Sequence, residues 1–223
     1  MKIIAHIKTP FREKFGIPRQ SGLVETKGQV IFEKEYRVRE AFRGLEDYSH
    51  IWLLWNFSEH NGSDWSPTVR PPLLGGNKRM GVFATRSPFR PNPIGLSCVR
   101  LEKIEYTKHL GPVLYISGAD LMDGTPIYDI KPYLAYADSY PDAVCGFTEN
   151  LSKREIEVRI ETDLFDDISQ QMQEEIITAL SHNPTPSYKG ESKSYAMKYM
   201  DYDISFEIRG NILYIVNIKN ASK

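Results

Sequence analysis

Ile51-Trp52-Leu53-Leu54-Trp55-Asn56-Phe57 is the stretch that decides the fold, because an apolar run of this length is typical of a strand buried on both faces. Strand-like runs follow at Gly81–Thr85, Ile94–Ile104 and Val113–Ala119, and Ile3–Ile7 precedes them. Proline and glycine separate these runs at short intervals, as in all-β domains. The sequence therefore predicts a mainly β first domain, with a barrel or a sandwich as its architecture.

The hydrophobic pattern changes in the last third of the chain. Ile156, Val158 and Ile160 alternate with charged residues, which predicts a half-exposed strand. The spacing of later apolar residues predicts one amphipathic helix over 164–180, since they recur at every fourth position. These residues are Leu164, Ile168, Met172, Ile176 and Leu180.

The predicted helix ends at Asn183-Pro-Thr-Pro186, because proline cannot continue a helix. Three further strand-like runs follow, at Tyr195–Tyr199, Ile204–Ile208 and Ile212–Ile218. We therefore expect two domains, a β domain over 1–147 and a small α+β domain over 148–223.

Composition excludes several classes of protein. The 223 residues carry 28 Lys and Arg against 29 Asp and Glu, and 41% of them are hydrophobic, which is typical of a globular chain with a real core. No apolar run reaches the roughly 18–20 residues of a membrane span. Two distant cysteines, Cys98 and Cys145, indicate a reducing, cytoplasmic environment. The net charge of −1 does not by itself indicate a nucleic-acid partner.

The most informative polar stretch is Thr85-Arg-Ser-Pro-Phe-Arg-Pro-Asn-Pro-Ile-Gly95. Three prolines stiffen this loop, so little conformational entropy remains to be lost on binding. It presents Arg86 and Arg90, whose planar guanidinium groups suit a carboxylate or a phosphate. A rigid hairpin whose arginines pair with surface carboxylates explains the same residues equally well.

Two further turns carry candidate binding residues. Asp120 lies at the end of a predicted strand, where its carboxylate could accept ribose hydroxyls or an amine, although the following Asp-Gly-Thr-Pro126 is also an ordinary turn signature. Pro18-Arg-Gln-Ser-Gly-Leu23 is a tight polar turn whose backbone amides could hold a ligand.

Several catalytic signatures are missing from the sequence. No Gly-x-Gly-x-x-Gly follows a strand, which disfavours a Rossmann fold. The five histidines have no metal-ligand spacing, so no metal is expected. No nucleophile elbow or Cys–His signature occurs, which disfavours a hydrolase.

Aromatic and basic residues alternate near the start of the last predicted strands. Tyr188 and Tyr195 lie beside Lys189, Lys193 and Lys198. Such a mixture suits stacking on unpaired bases with phosphate contacts, and a solvated lysine-rich loop is an equally good interpretation.

Taken together, these motifs resemble the TsaA-like, TrmO-type tRNA methyltransferases. The resemblance also includes Arg43-Gly-Leu-Glu46, Ser49-His-Ile-Trp52 and Pro67-Thr-Val-Arg-Pro-Pro72, and thus covers the whole first domain. It implies a β-barrel unrelated to Rossmann methyltransferases, with S-adenosylmethionine bound near a homodimer interface. It also implies methylation of N6 of threonylcarbamoyladenosine, the modified base at position 37, just 3′ of the anticodon in certain threonine tRNAs.

The resemblance also implies the residues of the site. The cofactor would contact Gln20, Ser21, Gly22, Ser58, Glu59, Arg86, Leu96, Ser117, Gly118, Ala119, Asp120 and Leu121. Arg90, Tyr188 and Tyr195 would contact the tRNA, and no proton acceptor is assigned. This chain reads Asn183-Pro-Thr-Pro-Ser-Tyr188 where family members tend to show Asp-Pro-Arg-Pro-x-Tyr. A non-catalytic RNA-binding or ligand-sensing barrel is the alternative function.

Overall fold

The structure, a computed structural model, describes residues 1–60, 64–74, 77–149, 156–160, 164–165, 168–182 and 194–220. It contains a closed β-barrel and a second unit in which a helix packs on a sheet, each with its own hydrophobic core. The predicted fold class, mainly β with an N-terminal barrel and a small α+β C-terminal domain, is therefore confirmed. Within the described part of the chain, no helix has both the length and the apolar character needed to cross a membrane.

The first part of the chain supplies the barrel. In chain order its strands are β1 (Ala5–Lys8), β2 (Lys27–Phe32), β3 (His50–Asn56), β4 (Thr68–Val69), β5 (Met80–Gly81), β6 (Ile94–Thr107), β7 (Gly111–Ser117) and β8 (Pro126–Pro132). Six of them close in the order β1-β2-β7-β6-β3-β8, and every neighbouring pair is antiparallel. β4 and β5 form a separate two-stranded ribbon.

Closure depends on β1, which pairs with β2 on one side and β8 on the other. Inside the barrel, β3 contributes Ile51, Leu53 and Trp55, which are buried, whereas Trp52 and Leu54 on the other face are half-buried. The prediction that this strand is buried on both faces is therefore wrong. The outer face of a barrel strand stays in contact with solvent unless another element covers it.

The predicted strand over Gly81–Thr85 is also wrong beyond its first residue. β5 ends at Gly81, and a 3-10 helix over Val82–Ala84 follows. The backbone N–H and the hydroxyl of Thr85 both donate to the carbonyl of Val82, at 3.1 and 2.9 Å. The tight turn therefore satisfies locally the backbone groups that a strand would pair with a neighbour.

The second unit follows the barrel. A short helix α1 (Ala135–Asp138) comes first and contacts the barrel, since the indole N–H of Trp52 donates to Asp138 at 3.0 Å. The elements of the second unit are β9 (Glu157–Ile160), α2 (Gln170–Ser181), β10 (Ser194–Tyr199), β11 (Tyr202–Arg209) and β12 (Ile212–Asn220). The strands form one sheet in the order β10-β11-β12-β9, in which β9 runs parallel to β12 and the other pairs are antiparallel. Ile176, Ala179 and Leu180 of α2 pack against this sheet.

Helix α2 begins later than the repeat of apolar residues predicts. Ser169 is its N-cap, and the side chain of Ser169 accepts a hydrogen bond from the backbone N–H of Met172. Leu164 and Ile168 still pack in the second core, although they precede the helix. The apolar repeat therefore marks residues that pack in the core both before and after the N-cap. Only the residues after the N-cap are helical.

A segment of the first domain belongs to the second core. We call residues 10–24 the strap. Phe11 of the strap is fully buried in that core, forms a β-bridge with Tyr199 and meets its ring edge-on at 5.7 Å. The carbonyl of Pro10 accepts from the backbone N–H of Met200 at 2.7 Å. The predicted division at residue 147 stays a prediction, and packing crosses it.

Gly95 on β6 has room for no side chain, because a Cβ at this position would overlap the indole ring of Trp55. We expect Gly95→Ala to lower the free energy of unfolding by about 1–3 kcal/mol through overpacking. Urea denaturation followed by circular dichroism measures this change.

Gly81→Ala is the matched control. A Cβ at Gly81 would meet nothing within 4 Å, and the φ of −58° suits any residue. Its free energy of unfolding should stay within about 0.5 kcal/mol of the wild type. Equal losses in the two variants would contradict the overlap with Trp55.

Candidate active site

A pocket of about 480 Å³ opens at one end of the barrel, a volume typical of small-molecule sites. We call it the barrel-end pocket. Its wall combines the strap, the end of β3 with the residues after it, the proline-stiffened loop, the first residues of β6 and the turn after β7. The chain reaches all of these positions at strand ends and loops, where side chains are not needed for the barrel core.

Half of the predicted cofactor residues lie on the wall of this pocket. They are Gln20, Ser58, Glu59, Arg86, Leu96 and Asp120. They come from four separate parts of the sequence, so the fold brings together motifs that the sequence places up to 100 residues apart. Arg90, predicted to contact the tRNA, also lines the pocket.

The other predicted cofactor residues lie behind the wall. Ala119 and Leu121 are buried in the barrel core, and the Ser117 hydroxyl donates to Glu102 at 2.6 Å. The backbone N–H of Gly22 donates to the carbonyl of Gly118 at 2.9 Å. Gly118 has a φ of +85°, which favours glycine, and it packs against Gly22. These contacts support the wall, and direct cofactor contact stays a prediction for these residues.

Ser21 also supports the pocket from behind. Its hydroxyl accepts a hydrogen bond from the backbone N–H of Cys98 at 3.2 Å. This contact ties the strap to β6, next to the residues of β6 that reach the pocket. Direct contact of Ser21 with a ligand stays a prediction.

Arg86 connects two walls of the pocket. Its guanidinium donates to the side-chain carbonyl of Gln20, so the proline-stiffened loop and the strap are joined across the opening. Among the residues that the structure describes, no carboxylate lies within ion-pair distance of Arg86. A cation held in this way is available to an anionic group of a ligand.

Arg90 holds the shape of the same loop. Its guanidinium donates to the carbonyls of Val82 and Thr85, at 3.0 and 2.7 Å. These two carbonyls belong to the tight turn that replaces the predicted strand. Arg90 therefore orders the backbone that carries Arg86, and its contact with tRNA stays a prediction.

A buried chain of hydrogen bonds ends at Asp120. The indole N–H of Trp55 donates to the Ser97 hydroxyl at 2.9 Å, and that hydroxyl donates to a carboxylate oxygen of Asp120 at 2.5 Å. Ser97 has no exposed surface. Because the hydroxyl proton of Ser97 is committed to Asp120, the carboxylate is held in one orientation at the floor of the pocket.

Burial raises the pKa of Asp120, since a desolvated carboxylate is disfavoured. The hydrogen bond from Ser97 and the positive charge of Arg86 oppose this rise, because both favour the ionised form. The pocket therefore contains an anionic group and a cationic group that are fixed near each other without forming a close ion pair.

His60 adds a neutral ring to the wall. Its imidazole meets the ring of Phe89 edge-on at 5.1 Å. Burial and the nearby charge of Lys14 lower the pKa of His60, which keeps the ring uncharged at neutral pH. Lys14 lies 3.9 Å from a carboxylate oxygen of Glu59, and both side chains are more than half exposed. Glu59 is therefore screened by solvent, unlike Asp120.

Sequence reasoning missed Trp55 and Ser97. Trp55 lies in an apolar run and therefore looks like an ordinary core residue. Ser97 is a single polar residue within a strand. The only sequence signal is the polar residue at a buried strand position, because such a group needs a partner. Its partners become visible only when β3, β6 and the turn after β7 are placed together.

The structure describes only one of the two tyrosines predicted to stack on tRNA bases. Tyr188 lies outside the described residues, as do Asn183 and Thr185. Tyr195 lies on β10, where its ring stacks on Phe206 at 5.6 Å and on Phe15 of the strap at 6.2 Å. This ring is part of the second core's edge, and its stacking on a base stays a prediction.

These features define a barrel with a pocket suited to a small molecule that carries both charges, with apolar walls from Trp55, Ile94 and Leu96. Among the described residues, no group of three or more His, Cys, Asp or Glu side chains could hold a metal ion.

Comparison with known proteins identifies the family. The model of the tRNA-methyltransferase O N-terminal domain matches residues 6–139, and that of the TrmO C-terminal domain matches residues 153–221. The tRNA (adenine(37)-N6)-methyltransferase of Escherichia coli (strain K12) is 41% identical over 215 residues, which are 92% of this chain and 91% of that protein. The chain therefore belongs to the TrmO family, and the resemblance stated above is confirmed.

Other similar proteins share different amounts of the chain. A crystal structure of TrmO from Pseudomonas aeruginosa has a TM-score of 0.76 and 32% identity, and the match covers 97% of both chains. The tRNA (adenine(37)-N6)-methyltransferase of Homo sapiens is 38% identical over 143 residues, 61% of this chain and 30% of that protein. The second protein therefore shares a region about as long as the first domain.

Ser97→Ala should raise the pKa of Asp120 further, because it removes a hydrogen bond to the ionised carboxylate. A folded-state pKa above the unfolded value disfavours folding as pH rises through the folded pKa. The variant should therefore lose more stability at pH 7 than at pH 4, about 1–3 kcal/mol at pH 7. Carboxyl carbon NMR titration and urea denaturation at both pH values measure these effects.

Ser117→Ala is the matched control, since Ser117 is a buried serine that donates to a different carboxylate, Glu102. It should leave the titration of Asp120 unchanged. An unchanged Asp120 titration in Ser97→Ala would contradict the role of the Ser97 hydroxyl.

Proposed function

We propose that this protein transfers a methyl group from S-adenosylmethionine to N6 of adenine 37 in tRNA, using the barrel-end pocket. The observation that carries the proposal is the pocket itself, where Arg86 and Asp120 face one cavity in a chain of the TrmO family. Relatives with this activity in their names are similar over nearly the whole chain, as the Escherichia coli enzyme is. The protein is thus an S-adenosylmethionine-dependent tRNA methyltransferase.

The residues of the pocket fit this cofactor. Arg86 can bind its carboxylate, and Asp120 can accept hydrogen bonds from its amine or its ribose hydroxyls. Trp55, Ile94 and Leu96 give apolar surface for the adenine ring. The opposite charges of Arg86 and Asp120 match a ligand that carries both an anionic carboxylate and a cationic amine.

When bound, the cofactor supplies an activated methyl group on a positively charged sulfur. The work of the protein is then to hold the acceptor nitrogen in line with that methyl. Fixed groups serve this task best, and the hydrogen bond between Arg86 and Gln20 joins two walls of the pocket through the protein's own side chains. Because Glu59 and Asp120 both line the pocket, two carboxylates are within reach of a proton leaving the acceptor nitrogen.

The modified base proposed as substrate is N6-threonylcarbamoyladenosine in a threonine tRNA, as the family resemblance implies. Its N6 proton belongs to a urea-like group and is more acidic than that of plain adenine, so removal of the proton needs a weaker base. Position 37 lies in the anticodon loop, where bases are unpaired and can enter a pocket without opening a duplex.

A homodimer in the cytoplasm completes the proposal. The segment around α1 exposes apolar side chains, with Tyr136 at 88%, Tyr140 at 74% and Val144 at 91% of their surface. Exposed apolar groups in one short segment favour burial against another chain. Both cysteines are free, which fits a reducing compartment that also contains tRNA.

Incubation with labelled S-adenosylmethionine and tRNA from a strain that lacks this gene tests the activity. Digestion of the tRNA and nucleoside analysis should then find the label on the modified adenosine. Label-free tRNA, with cofactor binding intact by calorimetry, would instead support a ligand-sensing barrel without catalysis.

Arg86→Ala should weaken binding of S-adenosylmethionine about ten- to a hundredfold, since a hydrogen bond to a charged group contributes roughly 1.5–3 kcal/mol. Isothermal titration calorimetry measures the affinity. Arg100→Ala is the control, because Arg100 faces solvent on β6 and lies 3.6 Å from Glu102. Wild-type affinity in a folded Arg86→Ala protein would refute the assignment.

Light scattering at micromolar concentration should give twice the 25.6 kDa of one chain. Replacing both Tyr136 and Val144 by glutamate should shift the mass to that of one chain, because each buried charge opposes association. A single-chain mass for the wild type, with cofactor present, would rule out the homodimer.

A further inference from the structure

The region before the proline-stiffened loop differs in charge from the rest of the chain. We call residues 64–90 the rim segment, of which the structure describes all but 75 and 76. It contains a single acidic residue, Asp64, and five cationic residues, in a chain whose net charge is −1. The cationic residues are Arg70, Lys78, Arg79, Arg86 and Arg90.

Within the described part of the chain, no carboxylate pairs with the positive charges of the rim segment. Among the described residues, none of its cations lies within ion-pair distance of a carboxylate. Arg79 instead donates to the Thr68 hydroxyl at 2.9 Å, and Arg90 donates to backbone carbonyls. Such a surface attracts a polyanion, because neighbouring carboxylates do not neutralise its charges.

Three aromatic side chains are exposed in the same segment. Phe83 exposes 73% of its surface, Trp65 exposes 51% and Phe89 exposes 42%. The Arg90 guanidinium lies over the ring of Phe83, 5.6 Å from its centre. Large exposed rings on a soluble protein usually mark a binding surface.

Backbone hydrogen bonds hold these rings near one another. The N–H of Ser66, next to Trp65, donates to the carbonyl of Phe89 at 3.2 Å. The N–H of Val82, next to Phe83, donates to the carbonyl of Pro67 at 3.0 Å. The aromatic residues thus sit on a connected backbone platform, which continues directly into the pocket wall at Thr85 and Arg86.

We propose that the rim segment is the surface that holds unpaired nucleotides of the RNA substrate beside the barrel-end pocket, with Phe83 stacking on a base. The proposal rests on the proposed function and names the part of the protein that contacts the RNA. Aromatic rings for bases and free cations for phosphates are the two elements of single-strand binding surfaces. Both occur here in one segment, next to the cavity that takes the target base.

A second copy of this chain fits the rim segment less well. In a two-fold symmetric contact centred on the rim segment, this surface would face the same surface of the second copy. The five cations of one chain would then lie close to the five cations of the other. Like charges brought together in this way oppose association. An RNA loop, in contrast, brings one negative charge per nucleotide.

The stacking role is tested with Phe83→Ala, Phe83→Tyr and a synthetic anticodon stem-loop RNA, in filter binding without cofactor. We expect Phe83→Ala to weaken binding about five- to a hundredfold, and Phe83→Tyr to retain it, because both aromatic rings can stack. Phe83 is mostly exposed, so its loss should leave the fold intact. Duplex RNA of equal length should bind wild type and Phe83→Ala equally.

Tyr106→Ala is the matched control. Tyr106 exposes 43% of its surface and also lies beneath an arginine, with Arg39 at 4.6 Å from its ring centre, but it belongs to the far end of β6. Its loss should leave the affinity for the stem-loop unchanged.

The phosphate contacts are tested with the double variant Lys78→Gln, Arg79→Gln. Its binding to the stem-loop should depend less steeply on salt, with a slope reduced by about one to two. An unchanged slope together with unchanged binding by Phe83→Ala would overturn the proposal. So would a loss of RNA binding that accompanies dissociation of a dimer in light scattering, since the surface would then serve a second copy.

Failure of this proposal is distinct from failure of the proposed function. Wild-type protein that methylates tRNA, while Phe83→Ala and the double variant bind the stem-loop normally, refutes the rim segment alone. Absence of methyl transfer by the wild type refutes the proposed function, whatever the variants bind.

Discussion

The pocket depends on the position of one indole ring, that of Trp55. Its N–H fixes Ser97, which in turn fixes the carboxylate of Asp120. Its ring fills the space above Gly95 and lies 4.3 Å from the ring of Phe57, so it also sets how closely β3 and β6 approach at the barrel end. A residue that packs the barrel core therefore also orients the charged group at the floor of the pocket, and packing and electrostatics cannot be varied separately at this point.

The sequence predicts the barrel strands β1, β3, β6 and β7 and the positions of the pocket loops, but it predicts neither β2 nor β8. Proline and glycine punctuation marks the strand ends, and polar residues such as Arg86 and Asp120 stand out because they interrupt apolar runs. The hydrophobic pattern leaves the choice between barrel and sandwich open, because closure of the barrel depends on the pairing of Ala5 with Ile127. A contact between residues so far apart leaves no local signature, and the barrel was expected only from the family resemblance.

Hydrophobic spacing misleads in two opposite ways in this chain. Leu164 extends the predicted helix because it packs, partly buried, against the second core, although it lies before α2. Phe83 gave the opposite error, as an apolar residue of a predicted strand that the folded chain leaves exposed. Hydrophobic spacing reports what is covered, and it cannot say by which part of the chain.

The strap has a consequence for how the protein is made. Its partners Tyr199 and Met200 lie on and just after β10, and their sheet is complete only with β12, which ends at Asn220. On a ribosome, the strands of the barrel emerge long before that sheet can form. Phe11 therefore lacks its aromatic and backbone partners until nearly two hundred further residues have been synthesised, although the rest of the strap already has partners on the barrel.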